Sequence, residues 1–229
     1  MNCFDLNQQS VRELNQALHN LAKATPETAA EKFEVLNARG AHALACGINS
    51  SVDVVIKDHV GYYCAGMHQC GNVTVEGNAG VGVAENMMSG VVRVQGNASQ
   101  AAGATAHGGL LVVEGDAAAR CGISLKGADI VVKGNVGHMS CFMAQAGTLV
   151  VCGDAGDNLG DSLYEAHIYV QGEVKSLGTA CVEKPMRSEH LEALEVLLHR
   201  ADSDANPLGF KRYGTDRSLY NFHIDNAQL

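Results

Sequence analysis

The chain lacks the basic excess that a nucleic-acid partner would need: 16 Lys and Arg stand against 25 Asp and Glu, a net charge of −9. It lacks any apolar run near the roughly 18–20 residues that cross a bilayer. Its opening, MNCFDLNQQSVREL, is polar and acidic where a secretory signal carries an apolar stretch. A cytoplasmic protein with no membrane and no nucleic-acid partner is the expectation. Among its eight cysteines there is no C-x-x-C pair, the spacing by which zinc and iron–sulfur sites usually announce themselves. Reduced thiols packed as small hydrophobes are therefore expected.

What the chain does have is glycine on a beat. Gly77, Gly96, Gly115, Gly134, Gly153 and Gly172 recur every nineteen residues, with Asp58 in the same slot one step earlier. Each follows a β-branched run, from Val54–Ile56 through Leu111–Val113 to Ile168–Val170. Self-similarity at one fixed period means stacked repeats, not a globular sheet or bundle. One residue past the marker stand His59, Asn78, Asn97, Asp116, Asn135, Asp154 and Glu173, mostly side chains that hydrogen-bond to backbone at turns. The next column, Val60 to Val174, is apolar throughout, and the column seven past the marker (Ala65, Ala84, Gly103, Gly122, Cys141, Gly160, Thr179) is small. Glycine suits the bends because it enters left-handed backbone space freely. In each run alternate residues point inward: Leu111 and Val113 face the core while Val112 faces out.

These columns predict an all-β core: a parallel β-helix of about seven 19-residue coils, roughly 34 Å long at normal strand spacing. Nineteen is not a multiple of six, the unit of left-handed acyltransferase helices, so a right-handed coil is favoured. At that spacing Cys64 and Cys121, which share a slot, fall about 14 Å apart and cannot bond. Short α-helices flank the repeats. Ser10-Val11-Arg12-Glu13 has capping-box form ahead of Val11, Leu14, Leu18 and Leu21 at helical spacing. Thr25-Pro26 reads as a second helix start. A later helix, about Ser188 to Ala201, carries Leu191, Leu194, Leu197 and Leu198 on one face. Both ends are expected to cap the rod, whose raw strand edges would otherwise recruit other chains. Three segments follow: residues 1–49 as helical cap and degenerate first coil (Phe33 to Ile48), 50–185 as β-helix, and 186–229 as helix and docking tail. That tail holds Phe210, Tyr213, Tyr220 and Phe222 among Lys211, Arg212 and Arg217.

The pattern G-x-x-G-x-x-x-G in Gly153–Gly160, with imperfect copies at Gly77, Gly96, Gly115 and Gly134, resembles the glutamate synthase C-terminal (GXGXG) β-helix family. A β-helical subunit of formylmethanofuran dehydrogenase shares that pattern. Longer stretches are similar to the B subunit of N-methylglutamate synthase: Gly61-Tyr62-Tyr63-Cys64-Ala65-Gly66-Met67, Val83-Ala84-Glu85-Asn86-Met87-Met88-Ser89-Gly90, and Ala102-Gly103-Ala104-Thr105-Ala106-His107-Gly108-Gly109. Phe210–Gly214 and Leu219–Phe222 fit as well. The resemblance implies a non-catalytic structural subunit of a heteromeric complex of methylamine or glutamate metabolism. Its partners would be a glutamine amidotransferase-like subunit and an FMN-binding, iron–sulfur-containing glutamate synthase-like subunit. It places no catalytic, cofactor-binding or metal-binding residue on this chain, and leaves self-association open.

Read from the residues alone, His68, His107 and His138 are candidate ligands or acid–base groups, but their slots do not converge. Glu85, Asn86 and Arg120 interrupt small, apolar columns, which a turn-wall ion pair or an interface contact would explain. Asp161 shares the slot of Glu85 four coils away, about 19 Å, too far for a catalytic carboxylate pair. Met67, Met87, Met88, Met139 and Met143 share one arc; core packing explains most of them, with an adaptable docking patch as the sharper alternative. The glycines are not phosphate loops, because no Lys-Ser or Lys-Thr follows them. Two other readings remain: a stand-alone β-helix enzyme with carbohydrate or acyl-transfer chemistry, and a scaffold like the formylmethanofuran dehydrogenase β-helix.

Overall fold

The computed structural model describes residues 2–21 and 31–217. The β-branched runs are strands: β3 (Val52–Ile56), β4 (Asn72–Val75), β5 (Val91–Val94), β6 (Leu110–Val113), β7 (Lys126–Val132), β8 (Ala146–Val151) and β9 (His167–Val170). They pair in parallel in chain order, with Val54, Val73, Val92, Leu111, Ile130, Leu149 and Ile168 in register, nineteen residues apart at every step. These seven inward side chains are at most 1% exposed. A second wall runs beside them as single bridges from Val60 through Ala79, Ala98, Ala117, Val136 and Ala155 to Val174. The fold is a β-solenoid of about seven turns.

The marker glycines are needed for a different reason than bending. None of the six has positive φ. Instead, Asn97, Asp116, Asn135, Asp154 and Glu173 each donate their backbone N–H to the side-chain oxygen one coil earlier, on Asn78, Asn97, Asp116, Asn135 and Asp154, at 2.7–2.8 Å. Those oxygens occupy the space a Cβ would take: one added at Gly96 would fall on Asn78 Oδ1, and one at Gly115 on Asn97 Oδ1. Glycine and Asx columns therefore form one device, a side-chain ladder along the rod. Left-handed backbone belongs to other glycines, such as Gly90 (φ +81°) and Gly109 (φ +87°) just before strands.

At the N-terminal end, β2 (Glu31–Leu36) adds a coil with a twenty-one-residue step, Phe33 against Val54. An unforeseen strand, β1 (Asn2–Asp5), pairs parallel with β2. Helix α1 (Val11–Leu21) starts with the expected capping box: Ser10 N–H donates to Glu13 Oε2 (2.7 Å), and Glu13 N–H to Ser10 Oγ (3.2 Å). Its Leu14 and Leu18 are buried in the rod core, while Asn15 bonds Ala43 O and Ala45 N–H of the first coil. The helix start expected at Thr25-Pro26 lies outside the described residues.

The C-terminal end departs from expectation. After β10 (Cys181–Lys184), helix α2 (Ser188–Arg200) lies along the side of the rod, not over its end. The outward column there is apolar, and Leu110, Val112, Val131, Val150 and Tyr169 pack against Leu194, Leu197 and Leu198. Val112 thus points out of the coil yet is fully buried. Cations hold the helix C-terminus, whose exposed carbonyls carry partial negative charge: Arg93 reaches Asp202 Oδ2 (2.7 Å) and Ala201 O (3.2 Å), and Lys133 donates to Asp202 O (2.8 Å). The chain then returns through β11 (Lys211–Thr215), which inserts antiparallel between β9 and β10 and closes the parallel ladder. Phe210 and Tyr213 are buried; Tyr220 and Phe222 lie outside the described residues.

Candidate functional site

The wall opposite the strands is built from a backbone that enters positive φ at every second residue. Five, seven and nine positions past the marker, the residues are Tyr63, Ala65 and Met67 in one coil, then Gly82, Ala84 and Asn86, and so on to Asn158, Gly160 and Ser162. Side chains pay about 1–3 kcal/mol for such a conformation unless the surroundings fix it. Here alternate N–H groups reach the coil ahead and the coil behind: Tyr63 to Val81 O (2.9 Å), Ala65 to Leu44 O (2.9 Å) and Met67 to Glu85 O (2.7 Å). The corrugation is stapled on both sides, which makes a stiff flank.

Its outward side chains are distinctive. Among the described residues eight large hydrophobics are exposed, and five sit here: Tyr62 (51%), Tyr63 (50%), Met67 (54%), Met88 (48%) and Met143 (39%). Across segments 62–70, 81–89, 100–108, 119–127 and 138–146, formal charge is confined to Glu85, Arg120 and Lys126. Aromatic and methionine side chains on a charge-depleted surface are the composition of an interface core. Tyr62 stacks on His42 at 4.6 Å, and Gly82 leaves room for the Tyr63 ring and the Glu85 carboxylate.

The candidates drawn from the sequence fall on this flank without converging. Met87 alone of the five methionines is fully buried, so core packing does not explain most of them. Asn86 Oδ1 accepts from Thr105 Oγ1 (2.6 Å), a polar contact between neighbouring coils. Neither Glu85 nor Arg120 enters an ion pair among the described residues, so the expected turn-wall pair is not formed. Asp161 bonds Ser162 Oγ (2.7 Å) in its own coil. His107 and His138 are exposed, whereas His68 is fully buried with Nε2 3.0 Å from Gly71 O. No group of three His, Cys, Asp or Glu among the described residues is placed to hold a metal ion.

All eight cysteines are free. Burial pushes the Cys121 and Cys181 thiols up to about 12 and raises those of Cys64 and Cys141 well above the ordinary thiol range, which suppresses the thiolate a nucleophile requires. A groove of about 500 Å³ beside α2 is lined by Asp129, His167, Glu189, Glu192 and Arg200. Asp129 and Arg200 form an ion pair there at 3.1 Å. The exposure of Tyr62 and Tyr63 was not anticipated from the repeat. The signal for it is local: both precede the small columns, whose side chains fill the interior and leave the bulky rings outside. No helix among the described residues is long and apolar enough to cross a membrane.

No protein-family model matches the chain. A protein from Rhizobium meliloti (strain 1021), Protein GlxC, is 59% identical to it over 228 residues, covering 99% of each chain.

Proposed function

The chain belongs to the family of Protein GlxC, and from that footing we propose that it is a non-catalytic structural subunit of a heteromeric, glutamate synthase-like complex. Within that complex it holds an amidotransferase-like and an FMN-binding subunit at a fixed separation. The N-methylglutamate synthase resemblance of the Tyr62–Met67 and Glu85–Gly90 stretches favours amino-group exchange with an amine as the assembled reaction. The observation that carries the proposal is the stiff flank: exposed Tyr62, Tyr63, Met67 and Met88 on adjoining coils, nearly free of charge. Such a surface suits protein partners, and rigid placement matters because reacting groups must be held within fractions of an ångström. Flavin and iron–sulfur clusters belong to the partner in this reading, and the chain binds none.

Co-expression tests it. The chain is produced with amidotransferase-like and flavin-type subunits of the same organism, and again alone. Co-elution with both, with turnover lost when this chain is left out, is the expected result. A flavin spectrum or turnover from the isolated chain would overturn the proposal.

A further inference from the structure

The side-chain ladder has one irregular member. Where later coils use the oxygen of Asn or Asp, the first uses an imidazole: Asn78 N–H donates to His59 Nδ1 at 2.8 Å. One coil boundary earlier, Tyr62 N–H donates to His42 Nδ1, also at 2.8 Å. An N–H donor fixes the tautomer, so both rings must be neutral with a bare Nδ1. An imidazolium has two donors and no acceptor, and a second proton turns each rung into an N–H facing an N–H. His68 completes the set. It stands in the core column between Ile48 and Met87, donates from Nε2 to Gly71 O, and leaves Nδ1 buried with no partner among the described residues. A charge there would sit in the apolar interior.

We propose that His42, His59 and His68 make residues 31–78 an acid-sensitive end of the rod, in which protonation breaks the imidazole contacts between the first coils while the Asn and Asp rungs of the later coils hold. This inference concerns the chain itself and does not depend on the proposed partners. The charged groups around the three rings do not cancel it. Asp58 lies beside His59 and accepts the N–H of His59 (2.7 Å) and of Arg39 (2.8 Å). Nearby, Lys57 pairs with Glu76 (2.6 Å) and with Glu34 (3.8 Å), carboxylates that it partly neutralises. His42 faces the uncharged Tyr62 ring, and His68 faces Gly71 and Gly90. The later rungs have Asn78, Asn97 and Asn135, which do not titrate, and the side-chain oxygens of Asp116 and Asp154. Outside the coils, His190 Nδ1 accepts from Arg187 N–H (3.2 Å) at the start of α2, a second and separate target for acid.

Amide hydrogen exchange on the full chain at pH 7.5 and 5.5, corrected for intrinsic rates, tests the proposal. Protection of Tyr62 and Asn78 should fall at least about five-fold, the worth of one net hydrogen bond, while Asn97, Asp116 and Asn135 hold theirs. The variant His59→Asn, which extends the Asn column by one coil, should keep Asn78 protected at pH 5.5, with Tyr62 still acid-sensitive. Unchanged protection at Tyr62 and Asn78 in the natural chain would overturn the proposal. So would a loss spread equally over all rungs, or an Asn78 in His59→Asn that remains as acid-sensitive as before.

Discussion

At the scale of single residues, the rod is held by a contact between unlike columns. Gly115 has no side chain because Asn97 Oδ1 sits where its Cβ would be. Gly115→Ala should therefore cost about 1–3 kcal/mol through overpacking, read as a drop in the denaturant midpoint. The double variant Asn97→Gly/Gly115→Ala should recover part of that loss, since the clash partner is gone; strictly additive losses would refute the coupling. Titration acts at this scale too. Burial pushes His68 and His167 below the ordinary imidazole range, and for His167 the neighbouring Arg212 adds to it; His190 is lowered in the same direction. A base with a depressed folded pKa binds more protons when unfolded. The stability it contributes is therefore full above about pH 6.5 and is lost as pH falls below it. Thermal melts should move down between pH 7.5 and 5.5, and His68→Leu should flatten part of that slope. An unchanged slope would remove His68 from the account.

At the scale of elements, the repeat is fully legible in the sequence and the second helix only half so. Strict spacing places β3 to β9 because a stacked coil fixes register, and one residue of slip would turn every inward side chain out. The capping box locates α1 for an equally local reason. Helix α2 is visible as a helix but not in its position, because its destination depends on a long-range pattern: Val112, Val131, Val150 and Tyr169 form an outward column that is apolar, whereas Thr74 and Arg93 in the same column are not. That break marks where the helix stops. Strands β1 and β11 escape notice because each takes its identity from the partner it pairs with, not from a periodic pattern. Leu197→Ala should cost about 2–5 kcal/mol as a buried truncation. Arg93→Ala should loosen the last turn of α2, seen as faster amide exchange at Leu197 and Leu198, with the coils away from the Arg93–Glu114 pair unaffected. Equal loosening of the coils would mean that the helix is part of the rod's own core.

At the scale of the whole molecule, the inward columns make a stiff solenoid, α2 shields one side, and the corrugated flank stays open among the described residues. The candidate site is partly legible: the methionine arc and the oddness of Glu85, Asn86 and Arg120 are visible, but which side chains face out is decided by the alternating positive φ of the turn wall, which no composition reveals. The same wall explains why exposed apolar rings are tolerated, since the backbone beneath them is bonded to the coils on both sides and does not depend on their burial.

The most direct measurement is co-elution of partners with the variant Tyr62→Asp/Met67→Asp. Both side chains are about half exposed, so the account predicts an unchanged circular dichroism spectrum and melting temperature together with loss of at least one partner subunit from the complex. A folded variant that still assembles with both partners at wild-type affinity would contradict it.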